Sequence, residues 1–363
     1  MTYIVGLSYR GMNSIVADSR QSWNSNVGNR LEGDNHVLKS GSLFPGCIFG
    51  RAGNPKGSRD LILSFKDFLR EKPDDSIAGF WNRFVAFADR YRFPTAPEER
   101  FQILLSTRAF GQPRFFLVDS TTGLTAVDDL RSIGGAGLFT LGSGKEALDE
   151  QLFSDFAGRL AFLQEYAKHN TKADGFLQEL APYALALWLN ERSTSFERVS
   201  LEEYHGVGGL FHFILQVRDC EAYQKPAVYL MVASSGSAND IRFWLHRVCF
   251  VRNWLFVQWN SEDGDGAHKE AYIDDCSLPP RQDGKQHDLD ELYQDLRGNL
   301  EAEIIDQPFY FFCGVGFADC LFRRSMILHV TTEKDYQIDP NGPGNTVRIR
   351  PAFFEMIRDN FRP

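Results

Sequence analysis

Residues 2–20 read TYIVGLSYRGMNSIVADSR, and this stretch decides the fold of the first half of the chain. Two short runs rich in aliphatic residues, Thr2–Leu7 and Ser14–Ala17, stand on either side of Arg10 and Gly11. Glycine adopts the positive φ angles of tight turns without steric cost, so this pattern predicts a β-hairpin. The first two elements are therefore expected to be paired antiparallel strands.

The segments after the hairpin form blocks of strands and blocks of helices. A polar stretch at 21–36 leads to a strand-like run at 47–50, and Ser58 is the expected N-cap of the first helix. Blocks of this kind favour a layered α+β architecture over the strict alternation of a dinucleotide-binding fold. The predicted elements are helices at 58–69 and 75–91, strands at 101–106, 114–118 and 124–127, helices at 145–168 and 173–191, and a strand at 210–217.

The pattern changes again near residue 219. The chain has 363 residues, more than the roughly 150 typical of one domain. We expect a first domain at 1–218 and a C-terminal α+β extension at 219–363, to which the sequence assigns no role. The extension is predicted to contain strands at 227–233, 241–250, 255–259, 309–312 and 325–332, a polar loop at 260–287 and one helix at 289–303.

Composition and charge exclude several classes of protein. The net charge of -9 and the pI of about 5.5 lack the basic stripe that binding to nucleic acid or anionic lipid requires. The mean hydropathy is -0.30, and no apolar run approaches the roughly 18 residues that span a bilayer. The first residues carry no signal-peptide pattern. We expect a cytoplasmic protein that binds neither nucleic acid nor membranes.

Cysteine, histidine and phenylalanine usage narrows the chemistry further. The 6 cysteines form no CxxC pair, which argues against a zinc site or a disulfide framework. The histidines are scattered without an HExxH pattern, so neither a metal nor another cofactor is expected. The 31 phenylalanines indicate a large aromatic core.

Three stretches between residues 2 and 144 together resemble the proteasome β subunits and their bacterial relatives HslV and Anbu. In that family a Thr-led strand, a tight turn and a second strand ending in Ala-Asp-Ser-Arg recur at the spacing seen in 2–20. Lys39 precedes Ala52-Gly53 by the family's interval, and a Gly-Ser-Gly at 142–144 precedes a helix. The resemblance extends over residues 1–217 and implies a four-layer αββα sandwich, the fold of N-terminal nucleophile hydrolases.

The resemblance also implies that Thr2 is a nucleophile. A threonine hydroxyl needs a base, and the free α-amino group of the same residue, with a pKa of about 7.7–8.0, is within its reach. This requires removal of Met1, which cytoplasmic methionine aminopeptidase performs when the second residue is small. Lys39 would keep the amine and hydroxyl reactive, Asp18 would keep Lys39 charged and oriented, and the N–H of Gly53 would stabilise the oxyanion.

Ser143 completes the catalytic set that the resemblance implies. It would accept a hydrogen bond from the amino group of Thr2, although a helix cap is an equal alternative. The flanking Phe139 and Glu146 exclude a phosphate-binding Walker loop here. The family's Asp-x-x-Ser-Gly motif has no clear match, and Glu202 and His205 are the nearest candidates for its Asp and Ser.

Two arginines are expected to bind substrate. Arg20 closes the Ala-Asp-Ser-Arg motif. Arg51 precedes Ala52-Gly53, a place that in proteasome-like peptidases lines the pocket for the side chain before the scissile bond. Charge complementarity predicts that Arg51 favours acidic residues at that position.

The sequence thus predicts a threonine peptidase acting on peptides or proteins. A catalytically inactive proteasome-like scaffold is the alternative if Met1 is retained, and an amidase acting on a small molecule is a third. Relatives of the proteasome assemble into rings, so a homo-oligomer is also considered.

Overall fold

The computed structural model describes most of the first 223 residues and the strands of the remainder. The described residues are 2–19, 37–70, 76–169, 177–194, 211–217, 220–223, 227–234, 241–251, 254–260, 267–276, 278, 310–317, 320–329, 336–339 and 346–349. They divide into two compact units, the first comprising Met1–Tyr223 with Asp274–Leu278, the second comprising Gln224–Ile273 and Pro279–Pro363. The domain interpretation of 1–218 and 219–363 stays a prediction.

The first unit combines strands and helices in the block order expected of an α+β protein. In chain order its described elements are β1 (Ile4–Tyr9), β2 (Met12–Asp18), β3 (Ser40–Phe44), β4 (Cys47–Gly53), α1 (Pro55–Arg70), α2 (Ile77–Ala88), a 3-10 turn (Pro97–Glu99), β5 (Phe101–Phe110), β6 (Gln112–Asp119), β7 (Gly123–Ala126), β8 (Arg131–Ile133), β9 (Ala136–Leu141), α3 (Lys145–His169), α4 (Leu177–Thr194), β10 (Phe211–Val217) and β11 (Cys220–Tyr223).

The predicted N-terminal hairpin is confirmed. Strands β1 and β2 pair antiparallel, with the register running from Ile4 opposite Ala17 to Tyr9 opposite Met12. Arg10 and Gly11 have φ angles of 49° and 77°, the positive values that a two-residue hairpin turn requires. The hairpin therefore sets Thr2, just before β1, close to the end of β2.

The described part of this unit is built from two antiparallel sheets with helices packed on each. One sheet has the strand order β11-β10-β2-β1-β9-β8, and the other has the order β3-β4-β5-β6-β7. Helices α3 and α4 contact strands of the six-stranded sheet, whereas α1 and α2 contact strands of the five-stranded sheet. The two sheets contact each other through β1, β2, β10 and β11 on one side and β3, β4, β5 and β6 on the other. Ile4, Ile15, Ile48, Leu104 and Phe115 belong to the apolar cluster between them.

An aromatic cluster joins the five-stranded sheet to α1 and α2. Phe65 of α1 and Phe84 of α2 are fully buried, and their rings meet edge to face with centroids 4.9 Å apart. The first helix begins earlier than predicted, because Asn54 Oδ1 accepts the N–H of Gly57 at 2.9 Å and Pro55 suits the first helical position. Ser58, the predicted N-cap, is instead a buried residue inside α1.

The second unit is described through its strands. They are β12 (Ala227–Ser234), β13 (Ile241–Val251), β14 (Trp254–Asn260), β15 (Ala267–Ile273), β16 (Tyr310–Phe317), β17 (Cys320–His329), β18 (Tyr336–Asp339) and β19 (Thr346–Ile349). The first six form one sheet, ordered β15-β14-β13-β12-β16-β17, in which β12 and β16 run parallel. Strand β15 lies inside the polar loop predicted at 260–287, so that prediction is wrong there. The helix predicted at 289–303 lies outside the described residues.

Candidate active site

Thr2 lies directly before β1, where the six-stranded sheet meets the loop that enters α3. It is buried, with 4% of its surface exposed. Its backbone nitrogen donates a hydrogen bond to Ser143 Oγ at 3.2 Å. Its carbonyl oxygen accepts from the N–H of Gly144 at 3.3 Å. Thr2 is thus held on both sides by one short loop.

The shape of this loop depends on Gly142. Gly142 has a φ of 100°, a conformation that side chains with a Cβ rarely adopt. A Cβ at this position would also collide with the carbonyl of Thr2. The loop ends at the first turn of α3, where the N–H groups of Ala147 and Leu148 bind the carbonyl of Gly144. A glycine at 142 therefore permits the close approach that brings Ser143 to the Thr2 nitrogen.

A buried ion pair is hydrogen-bonded to the backbone of Tyr3, the residue that follows Thr2. Lys39 Nζ donates to Asp18 Oδ2 at 2.7 Å, and the side chains are 5% and 0% exposed, respectively. The other oxygen of Asp18 accepts the N–H of Tyr3 at 3.0 Å. The backbone N–H of Asp18 donates in turn to the carbonyl of Tyr3 at 3.3 Å. Asp18 therefore links the residue that follows Thr2 to the ammonium of Lys39.

Burial and pairing act in opposite directions on Asp18. Burial is the larger effect and raises its pKa above the usual value, while the Lys39 ammonium and the Tyr3 N–H lower it. The pairing with Lys39 is what allows a carboxylate at a fully buried position to carry its charge. The result is a fixed cation linked to the residue after Thr2 through Asp18.

A second carboxylate fixes the start of β1 to α3. Tyr3 Oη donates to Asp149 Oδ1 at 2.9 Å, and Thr140 Oγ1 donates to Asp149 Oδ2 at 2.8 Å. Burial, with the nearby Asp149 carboxylate, raises the pKa of the Tyr3 phenol well above its usual value, so it stays protonated and keeps donating. Asp149 belongs to no motif, so the sequence alone did not identify it.

Gly53 and Arg51 are carried by β4. Gly53 has a φ of 83°, and a Cβ there would come within 2.6 Å of the carbonyl of Arg100. The backbone N–H of Arg51 donates to the carbonyl of Lys39 at 2.8 Å, which joins β4 to the residue that pairs with Asp18. The predicted spacing of Lys39 and Ala52-Gly53 therefore corresponds to a direct contact between their two segments.

The side chain of Arg51 is engaged within the protein. It is buried, and Nη2 donates to the carbonyl of Leu38 at 3.0 Å and to Asp275 Oδ1 at 2.8 Å. Burial lowers the pKa of Arg51, but its neighbours, above all Asp275, more than offset this effect and raise it. The guanidinium expected to attract an acidic substrate side chain is thus paired with a carboxylate of the protein, and the acidic preference stays a prediction.

Among the described residues, one group of neighbouring side chains could supply metal ligands. It consists of Asp274, Asp275 and Cys276, whose potential ligand atoms lie within 4.8 Å of one another. Arg51 and Arg59 both contact the Asp275 carboxylate. Burial raises the pKa of the Cys276 thiol well above its usual value. The group is organised as an ion-pair network with arginines.

Among the site residues predicted from sequence, the structure places Ser143 on the nitrogen of Thr2 and the Asp18–Lys39 pair on the nitrogen of the next residue, Tyr3. Arg20, Glu202 and His205 lie outside the described residues. A buried contact between Ser40 Oγ and His212 Nε2, 3.0 Å apart, joins the start of β3 to β10 and was not predicted from the sequence. No sequence signal pairs residues so far apart in the chain.

Comparisons with known proteins give a distant likeness in structure. No protein-family model matches the chain, and no curated protein matches it. A solved structure of eukaryotic HslV from Trypanosoma brucei aligns with 59% of this chain and 98% of its own chain, at 12% sequence identity and a TM-score of 0.32. None of the described helices is long and apolar enough to cross a membrane.

Proposed function

We propose that the protein is an N-terminal nucleophile hydrolase that cleaves peptide bonds with Thr2. The observation that carries this proposal is the network in which Ser143 binds the Thr2 nitrogen while the buried Asp18–Lys39 pair binds the next residue. Removal of Met1 would turn that nitrogen into a free α-amino group, already placed against a hydrogen-bond acceptor. Residue 2 would then carry both the hydroxyl and the amine that nucleophilic catalysis by threonine requires, and the ammonium of Lys39 is linked to the following residue through Asp18.

The proposed reaction proceeds through an ester intermediate. The α-amine takes the proton of the Thr2 hydroxyl as Oγ attacks the carbonyl carbon of the substrate, and the carbonyl oxygen becomes an oxyanion. The ammonium that forms gives its proton to the leaving amine as the C–N bond breaks. Water, activated by the same amine, then hydrolyses the ester and restores the hydroxyl. Every proton that the amine takes up is returned within the cycle.

Lys39 and Asp18 would act on this reaction through charge. An ammonium close to the α-amine disfavours its protonated form, so more of the amine is available as a base near neutral pH. Asp18 keeps Lys39 charged at a position where only 5% of its side chain is exposed. The N–H of Gly53 is the proposed oxyanion donor, and a donor of this kind contributes about 10²–10³-fold to the rate in comparable sites.

The packing of the first unit supports the fold that this chemistry usually occupies. Helices on one sheet, two sheets in contact and helices on the other sheet are the components of a four-layer αββα sandwich. We propose that this layered unit is the catalytic domain and that the second unit is a smaller accessory domain.

Peptide hydrolysis by three variants tests the proposal. Purified protein is incubated with a mixture of defined peptides, and the products are identified by mass spectrometry. Thr2→Ala should abolish cleavage, and Thr2→Ser should retain it because a hydroxyl remains on the first residue. Thr122→Ala, a change at an exposed turn, is the control and should cleave like the wild type. Cleavage by Thr2→Ala at the wild-type rate would overturn the proposal.

A further inference from the structure

The first unit includes a short segment from far along the chain. Asp274–Leu278 belongs to this compact unit, although it is flanked in sequence by parts of the second. Asp274, Asp275 and Cys276 are all buried. Lys66 of α1 donates to the carbonyl of Cys276 at 2.6 Å, and the Cys276 side chain belongs to the aromatic cluster beneath α1 and α2. The segment is therefore anchored inside the unit by both polar and apolar contacts.

The carboxylate of Asp275 connects two elements of the unit. Arg51 of β4 donates to one oxygen at 2.8 Å, and Nε of Arg59 in α1 lies 3.0 Å from the other. Asp275 is 6% exposed and Arg51 is 3% exposed, whereas Arg59 is 25% exposed. A buried guanidinium needs a counter-charge, and Asp275 supplies it.

Arg51 in turn binds the two main-chain carbonyls on either side of the Lys39 Cα. Its guanidinium donates to the carbonyl of Leu38 at 3.0 Å, and its backbone N–H donates to the carbonyl of Lys39 at 2.8 Å. Lys39 precedes β3, which begins at Ser40, so the regular strand pairing does not extend over it. The bonds from Arg51 take the place of that pairing at the residue whose ammonium binds Asp18.

We infer that Asp275 is a positioning residue of the proposed nucleophile site, acting through Arg51 on the backbone that carries Lys39. This inference rests on the proposed function. The contacts run without interruption from Asp275 to Arg51, from Arg51 to the carbonyls of Leu38 and Lys39, and from Lys39 Nζ to Asp18. Without the Asp275 carboxylate, no counter-charge would hold the Arg51 guanidinium in the orientation in which Nη2 donates to the carbonyl of Leu38. The site would then be complete only when the distal segment is seated.

Arg59 offers a matched control, because it contacts the same carboxylate and, among the residues that the structure describes, its side chain makes no hydrogen bond or ion pair with residues 38–39. Asp275→Asn should lower kcat for peptide cleavage by about 10- to 100-fold with KM within twofold, because small displacements of catalytic groups cost rate rather than ground-state binding. Arg59→Met should leave both constants within twofold of the wild type. If the Asp275 ion pairs served only to stabilise the fold, Asp275→Asn and Arg59→Met would have the same effect as each other on kcat and on KM.

A second readout does not depend on catalysis. Hydrogen exchange of the Arg51 amide, which binds the Lys39 carbonyl, should be faster in Asp275→Asn and unchanged in Arg59→Met. Should Asp275→Asn fail to fold, the double variant Arg51→Met with Asp275→Leu removes both buried charges together and should still show the low kcat.

The outcomes separate this inference from the proposed function. Wild-type cleavage with unchanged kcat and unchanged Arg51 exchange in Asp275→Asn would overturn the positioning role and leave the peptidase intact. Absence of wild-type cleavage, with faster Arg51 exchange in Asp275→Asn alone, would overturn the peptidase and leave the structural coupling between Asp275 and residues 38–39.

Discussion

Replacing Lys39 by methionine should destabilise the protein strongly, because it leaves the Asp18 carboxylate buried without its partner. The pair is separated by 2.7 Å, and Asp18 is fully buried. Removing one member of such a pair costs about 3–5 kcal/mol of unfolding free energy. With an m-value of about 3 kcal/mol/M, the urea midpoint should fall by about 1–2 M.

The double variant Asp18→Asn with Lys39→Met should be more stable than Lys39→Met alone. Neither charge remains to be compensated, and the side-chain oxygen of the introduced asparagine can still accept the N–H of Tyr3. The cost of Lys39→Met alone should be greater at pH 8 than at pH 5, because loss of the ammonium removes the main effect that lowers the Asp18 pKa.

Urea unfolding followed by both circular dichroism and tryptophan fluorescence measures these differences. Coincidence of the two probes at each pH shows that the same transition is being compared. If the unfolding free energies of Lys39→Met and of the double variant both lie within about 1 kcal/mol of the wild-type value, Asp18 and Lys39 are not a buried pair of charges and this prediction is refuted.

Gly142, Cys276 and Asp18 carry three further predictions. Gly142→Ala should lower the unfolding free energy by about 1–3 kcal/mol and impair peptide cleavage. Gly135→Ala is the control, at a φ of 82° with open space around it, and should destabilise less and leave cleavage unchanged. Equal effects of the two variants in urea unfolding and in peptidase assays would contradict this prediction. Cys276 should not react with iodoacetamide at pH 8 until the protein unfolds, because burial raises the pKa of its thiol. Mass spectrometry of the native protein should find Cys276 unlabelled. Rapid labelling of the native protein would contradict this prediction. The contribution of Asp18 to the unfolding free energy should decrease as pH rises from its pKa in the unfolded chain, about 3.9, to its raised pKa in the folded protein. Asp18→Asn should remove this part of the dependence of unfolding free energy on pH. An unchanged dependence would rule out Asp18 as its source.

Local patterns are sufficient to predict the first hairpin and the helices that cover the sheets. The turn at Arg10–Gly11 requires positive φ angles, which leaves few alternatives for the two flanking runs. Hydrophobic spacing likewise locates α1, since Leu61, Ile62 and Phe65 recur on one face. Its first turn is harder to place from sequence, because Asn54 and Pro55 together begin the helix before Ser58.

Strands without a strong apolar pattern could not be located from sequence. Strand β15 reads AHKEAYI, and its polar residues favour a loop when the segment is considered without its partner strand β14. Strand β3, SGSLF, is short and rich in small residues, so its propensity for strand is weak. In both cases neighbouring strands, rather than local preference, determine the structure.

Site residues that lie in family-like motifs could be predicted from the sequence, whereas a residue that reaches the site from a distant part of the chain could not. Asp18, Lys39 and Ser143 were predicted as site residues because their motifs resemble those of proteasome β subunits, and the structure places Ser143 on the Thr2 nitrogen and Asp18 with Lys39 on the Tyr3 nitrogen. Asp275 did not, because a residue 224 positions from Arg51 leaves no local trace of the contact. For the same reason, the sequence alone could not show that the guanidinium of Arg51 is paired with a carboxylate of the protein.

The intact mass of the purified protein, before and after treatment with a peptide epoxyketone, tests the central claim most directly. This reagent forms its stable adduct only with a hydroxyl and a free α-amine on the same residue. The account predicts loss of Met1 and a single adduct in the wild type, with no adduct in Thr2→Ala. Processed protein that forms no adduct, or an adduct that persists in Thr2→Ala, would contradict the assignment of Thr2 as the nucleophile.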